Sequence, residues 1–429
     1  MRPFGIQLCS PASCLRQLPL FLAAALSLPA QPAVAPSRDP LMSLMLSQPR
    51  LEIPAVAKAT AAFDPPVIAP GQQSFLRVTF NALEESIEWS ASIAGPARLE
   101  LRPGARGQML QIIGTNFEPR TAFNVRARAL GPGSFTVPEF AVRVGGKPVL
   151  VPAARLEVVS APATLAPPAL QLLLEMPATN LVVGQPVQAR LLLPGTPSGG
   201  VQGLMQPQLS GQGFLVDAAG ARQIIEGIHH NGASVPAYIY ETTLTPLTTG
   251  KLTVFAQGFA AGNRFSGPIV ISGHAIIPGG VPQYTLLESD PIELSVRPLP
   301  RDGELPGFTG AIGSFTVGPP QLATNSLRVG DPVRLTVTIT NRGVAPLARL
   351  VPPPPPRARE WQVLGVADFA PVQILSLPQP AGLRGVVTFT YTLVPLTDAA
   401  RATPPIPFSC FDPGTDSYAD LTIPSVPVT

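Results

Sequence analysis

The chain has 429 residues, 45% hydrophobic and only 13% charged, with a formal net charge of +3, and it contains 55 Pro and 38 Gly. A composition this apolar excludes a disordered tail, and three lysines (Lys58, Lys147 and Lys251) without a basic run exclude a surface built to neutralise nucleic acid or an anionic membrane. So much Pro and Gly in an apolar chain predicts short strands joined by turns, over a length that suits three domains of roughly 100–150 residues.

Residues 1–30 read as a signal peptide. Arg2 and Arg16 supply the positive charge, Leu18 to Leu28 an apolar run short for a membrane span, and the small residues around Ala30 and Ala35 a cleavage site. Its removal leaves a net charge of +1 and carries off Cys9 and Cys14, so the mature chain keeps Cys410 alone and forms no intramolecular disulfide. Residues 31–50 read as a linker.

Two phrases then recur three times. The first is a glycine turn, a polar residue and an alternating apolar strand: IAPGQQSFLRVTF, LVVGQPVQARLLL and LRVGDPVRLTVTI, with Gly71, Gly184 and Gly330 at the turns. The second places a strand, a Pro or Gly turn and another strand toward the end of each unit: residues 123–140, 238–259 and 387–408. In these strands Tyr238, Tyr240 and Thr242 share one face, as do Phe389, Tyr391 and Leu393, because side chains alternate every two residues. Alternation with frequent turns and no helical period predicts an all-β chain of three tandem immunoglobulin-like or fibronectin-like β-sandwiches, spanning 51–160, 165–298 and 305–429. Glu84, Glu85 and Glu88 fall on an expected strand edge with Trp89 pointing inward, residues 258–283 on a long hairpin or ordered loop, and Pro352 to Pro356 on a stiff inter-strand loop.

The second and third units meet at residues 299–317, LPRDGELPGFTGAIGSFTV. Ile292, Leu294 and Val296 alternate up to it as a strand, and the Pro and Gly residues that follow cannot continue a ladder. Pro300, Gly303, Phe308, Gly310, Ala311, Ile312, Gly313 and Phe315 are therefore expected to form an interdomain junction, with Phe308, Ile312 and Phe315 packed between domains. This string resembles the junction of the BatD family, envelope proteins of the bacterial aerotolerance (Bat) operon, which carry something close to P-L-P-x-x-G-x-P-x-x-F-x-G-A-V-G-x-F. Pro298, Leu299, Pro300, Gly303, Phe308, Gly310, Ala311, Gly313 and Phe315 match; Ile312 stands for Val and Leu305 for a Pro. The resemblance covers most of 165–429 and, more weakly, 51–160.

The resemblance implies a periplasmic, non-catalytic component of an envelope system linked to tolerance of oxygen or oxidative stress. Its implied partners are membrane-bound von Willebrand A domain proteins and, indirectly, a MoxR-type AAA+ ATPase. Family members usually continue into a C-terminal membrane helix, which is not expected in this chain. A surface adhesin or carbohydrate-binding sandwich protein is the alternative, although two Trp and 6% aromatics offer few stacking platforms.

The residues themselves suggest no enzyme, cofactor or metal. His229 and His230 precede Asn231-Gly232, a hairpin signal, and adjacent strand residues point to opposite faces, which makes a shared metal improbable. Cys410 lies between Phe408 and Phe411, a setting that raises a thiol pKa. Asp412, Asp416 and Asp420 are spaced by four, but Asp412-Pro413-Gly414 reads as a turn. No G-x-S-x-G, Walker A, H-E-x-x-H or C-x-x-C motif occurs.

Overall fold

The computed structural model describes residues 51–90, 92–113, 116–160, 170–195, 201–230, 232–263, 270–272, 275–277, 282–343, 350–375 and 384–429. All of them lie in one compact unit, Arg50–Thr429. The expected signal peptide and the linker at 31–50 fall outside the described residues.

The architecture is all-β, and the strand order is that of immunoglobulin domains. In the first sandwich Ala59–Asp64, Gln73–Phe80, Asn116–Ala129 and Leu99–Ile113 pair in that spatial order, the places of strands A, B, E and D. Facing them are two three-stranded sheets, built from Val67–Ile68, Ala154–Val158 and Gly133–Val137 and from Ile87–Glu88, Phe140–Val144 and Lys147–Val151. The second sandwich repeats the plan with Leu173–Glu175, Val187–Pro194, Ala233–Pro246 and Phe214–His230 in one sheet. Its other sheet holds Asn180–Val182, Ile292–Arg297, Gly250–Asn263 and Val201–Gly211. In both, the short strand after the first lies parallel to the last one.

The third sandwich keeps the first sheet, from Phe315–Val317, Val333–Asn341, Arg384–Pro395 and Trp361–Leu375. Its second sheet differs. The junction strand Phe308–Ile312 runs parallel to Ser409–Asp412, on the side away from Ser417–Asp420. The junction thus contributes a strand to the third sandwich rather than merely leading into it.

Alternation explains the layers. In Val333–Asn341 every second residue is buried, and Val333, Leu335, Val337 and Ile339 point into a core shared with Phe389, Tyr391, Phe408 and Cys410. The first core joins Leu76, Phe80 and Phe123 to Ile68, Leu156 and Val158, with Trp89 stacked on Phe123 at 4.3 Å. The second joins Leu191 and Leu244 to Val254 and Leu294. Each large apolar side chain so buried contributes about 1.5–3 kcal/mol.

The three turn glycines superimpose in conformation, with φ of +83° at Gly71, +82° at Gly184 and +86° at Gly330. The next residue's N–H donates back across each turn: Gln72 to Ala69 O (3.1 Å), Gln185 to Val182 O (3.0 Å) and Asp331 to Arg328 O (3.1 Å). A turn of this kind needs positive φ at its third residue, which is why glycine recurs there. In the second and third sandwiches the same glycine N–H also donates to the carbonyl of Pro246 or Pro395, at 2.8 Å each. That bond ties the first recurring phrase to the second.

One local expectation changes in detail. Glu88 lies on the edge strand Ile87–Glu88, as expected, but Glu84–Ser86 is a single 3-10 turn, because Glu84 N–H is taken by Gln108 Oε1 (2.6 Å) and Ser86 N–H by Leu83 O (3.0 Å). The run at 352–356 is held against the third sandwich by the buried Tyr391 hydroxyl, which donates to Pro353 O at 2.9 Å. Within 258–283, Gly250–Asn263 pairs with Pro282–Glu288 as a long hairpin that carries a smaller one, Val270–Ser272 with Ala275–Ile277.

Candidate functional site

The expected junction residues divide between two environments. Ile312 is buried with Val182 of the second sandwich and Phe411 of the third, and Leu299, Phe308 and Tyr418 pack around them. Phe308 meets the Tyr418 ring edge-on at 5.0 Å, and Phe411 meets it at 5.2 Å. The Tyr418 hydroxyl donates to Pro300 O at 2.7 Å, and Arg297 of the second sandwich pairs with Asp416 of the third. Gly184 lies close by: a Cβ there would sit 2.8 Å from Ile312 Cδ1.

Phe315 and Ala311 do not pack between domains. Both belong to the core of the third sandwich, where Phe315 meets Phe408 edge-on at 6.5 Å. Ala311 is adjacent to Ile312 in the strand Phe308–Ile312, so the two side chains leave opposite faces. Beyond Gly313 (φ +138°), whose N–H donates to Phe411 O at 2.9 Å, the next strand, Phe315–Val317, joins the other sheet of the third sandwich. Gly303 (φ +79°) supplies a turn and Gly310 (φ +89°) the irregularity within the strand Phe308–Ile312, both with open space around them. The Asp412 turn forms as read, with Gly414 N–H donating to Asp412 Oδ1 at 2.9 Å. Its tip reaches Arg297, a role its sequence did not disclose.

A second joint, between the first and second sandwiches, was not legible beforehand. Glu288 ends the strand Pro282–Glu288 with a fully buried carboxylate. It pairs with Arg126 and accepts a hydrogen bond from Ala105 N–H, both from the first sandwich, while Asn124 Nδ2 lies at 3.4 Å. Arg126 also donates to Ser289 O (2.9 Å), Asn124 Nδ2 to Leu286 O (3.2 Å), and Arg77 to the same carbonyl. Burial lowers the Arg77 pKa, and Asp64, 2.9 Å away, and Glu288 oppose that shift. Ala105 and Met109 complete the joint against Phe259 and Leu286. Gly104 is required here, since a Cβ would come 2.5 Å from Glu288 Oε2. The signal present in sequence was a charged residue closing the apolar run Leu286-Leu287, opposite an arginine-rich strand at 124–128.

Beside this joint opens a cleft of about 610 Å³. Glu84, Arg106 and Gln108 stand on one wall, and Gln206, Gln208 and Gln257 on the other.

The groups weighed for catalysis stand apart. His229 pairs with Ser234 and His230 with Ala233 in successive registers of one hairpin, so the two imidazoles leave opposite faces. Cys410 is buried, and burial pushes its thiol up to about 11. Among the described residues no three His, Cys, Asp or Glu side chains converge as metal ligands, and no helix is long and apolar enough to cross a membrane.

No protein-family model and no curated protein matches the chain. Among solved structures it is similar to FdeC, an Escherichia coli adhesin, at 14% identity over 87% of this chain and 96% of that one, with a TM-score of 0.17. Similarity to the Yersinia pseudotuberculosis adhesin InvE is 10% over 54% and 58%, TM-score 0.12; to the S. aureus collagen adhesin it is 7% over 57% and 97%, TM-score 0.15. Scores this low carry no inference about this chain.

Proposed function

We propose that this chain is a non-catalytic, exported protein–protein interaction scaffold of the cell envelope, of the BatD type, whose partners are von Willebrand A domain proteins of a Bat/MoxR-type system. The observation that carries the reading is the junction at 299–317. Of the residues that match the BatD string, Leu299 and Phe308 are built into the joint between the second and third sandwiches, where they gather with Ile312 (at the family's Val position), Val182, Phe411 and Tyr418. Ala311 and Phe315 anchor the same string in the third core. A scaffold needs its domains held at a fixed angle, and this joint combines apolar packing with the Arg297–Asp416 pair.

The test is capture of purified von Willebrand A domain proteins from the same operon by the immobilised full chain, read by biolayer interferometry. Saturable binding that weakens when Ile312→Ser loosens the joint is the expected result. Wild-type chain that retains none of them overturns the BatD reading.

A further inference from the structure

We propose that the cleft between the first and second sandwiches is a binding site for a neutral oligosaccharide. The ligand class follows from the lining. Arg106 Nε lies 3.4 Å from Glu84 Oε1, so the lining's cation and carboxylate sum to no net charge and do not favour a phosphate or carboxylate over a neutral ligand. What remains is dominated by the primary amides of Gln108, Gln206, Gln208 and Gln257. An amide offers both donors and an acceptor, and a sugar hydroxyl likewise donates and accepts, so the two are matched in a way that a purely accepting anion is not.

The site is also preformed. Gln108 Oε1 accepts the Glu84 N–H at 2.6 Å, and Gln257 Nε2 donates to Arg106 O at 2.8 Å, which holds both amides in one orientation. The two walls belong to different sandwiches, and the buried Glu288–Arg126 pair fixes their separation. Binding therefore costs little ordering of the protein. The volume of about 610 Å³ lies within the range of small-molecule sites and suits roughly two or three sugar rings. A peptide strand would need apolar pockets for alternate side chains; here Phe255 and Leu209 are the apolar side chains of the lining.

The experiment applies the full chain to an array of neutral and anionic oligosaccharides with polar peptides alongside, then titrates the best-retained neutral probe calorimetrically. Gln208 is exposed, so Gln208→Ala leaves the fold intact, which an unchanged melting temperature verifies. The expected result is retention of neutral oligosaccharides, about tenfold weaker in Gln208→Ala and lost in Q206A/Q208A, with capture of von Willebrand A domain proteins unaffected. Three results overturn the proposal: no neutral oligosaccharide is retained, anionic glycans or peptides are preferred, or retention survives the double substitution.

Discussion

Glu288 and Arg126 meet as an ion pair across the joint between the first and second sandwiches, 162 residues apart in sequence, with the carboxylate fully buried and the guanidinium side chain 15% exposed. The pair alone is weak evidence of net stability, because desolvating two charges offsets much of their attraction. Removing one partner is different, since it strands the other charge. Glu288→Ala should cost about 3–5 kcal/mol. Urea denaturation measures the loss, and small-angle scattering should show the first sandwich freed from a fixed orientation. A variant within 1 kcal/mol or so of wild type would mean that solvent reaches the pair and that the joint rests on Met109, Phe259 and Leu286.

Ile312 and Phe315 lie three residues apart and should fail differently. Ile312→Ser removes an apolar contact between sandwiches and is expected to leave both folded while broadening their relative orientation. Phe315→Ser places a hydroxyl in the core of the third sandwich and is expected to lower or abolish its melting transition. Calorimetry and scattering on the two variants separate these outcomes, and identical behaviour would contradict the division of the junction.

The equivalent turn glycines provide an internal control. Gly71→Ala and Gly330→Ala meet nothing within 4 Å, so each should cost only the strain of positive φ, about 1–2 kcal/mol. Gly184→Ala adds a Cβ 2.8 Å from Ile312 Cδ1 and should cost somewhat more, since the Ile312 methyl must shift within the joint to admit it. Melting temperatures of the three variants, compared side by side, check the order.

Cys410 predicts an alkaline limit for the third sandwich. Burial raises its thiol to about 11, the Asp412 charge adds to the rise, and a hydrogen bond with the Phe315 backbone opposes it. The folded thiol therefore keeps its proton to a higher pH than the unfolded one. Its contribution is complete below the ordinary thiol value and is lost as pH rises through about 11. The loss should reach about 3 kcal/mol across that window, and Cys410→Ala should flatten it. Tyr391, raised in the same direction by burial, adds to the fall at still higher pH. At pH 8 the native protein should resist Ellman's reagent until denaturant is added.

The sequence by itself determined what depends on neighbours along the chain. Period-two alternation was enough to place Leu335, Val337 and Ile339 on one buried face, and a turn that needs positive φ was enough to mark Gly71, Gly184 and Gly330 as equivalent. Both are local properties of backbone geometry, so the all-β class and the three recurring units could be read from residues close in sequence. Tertiary structure decided what those periods leave open. Phe308, Ile312 and Phe315 are all apolar, and hydrophobicity does not say whether a side chain covers its own core or a neighbour's; the face on which the second sandwich packs made that choice. Nor could any local pattern have paired Glu288 with Arg126, because a charge at the end of an apolar strand announces only that a partner is needed. Which arginine supplies it depends on how two finished sandwiches pack.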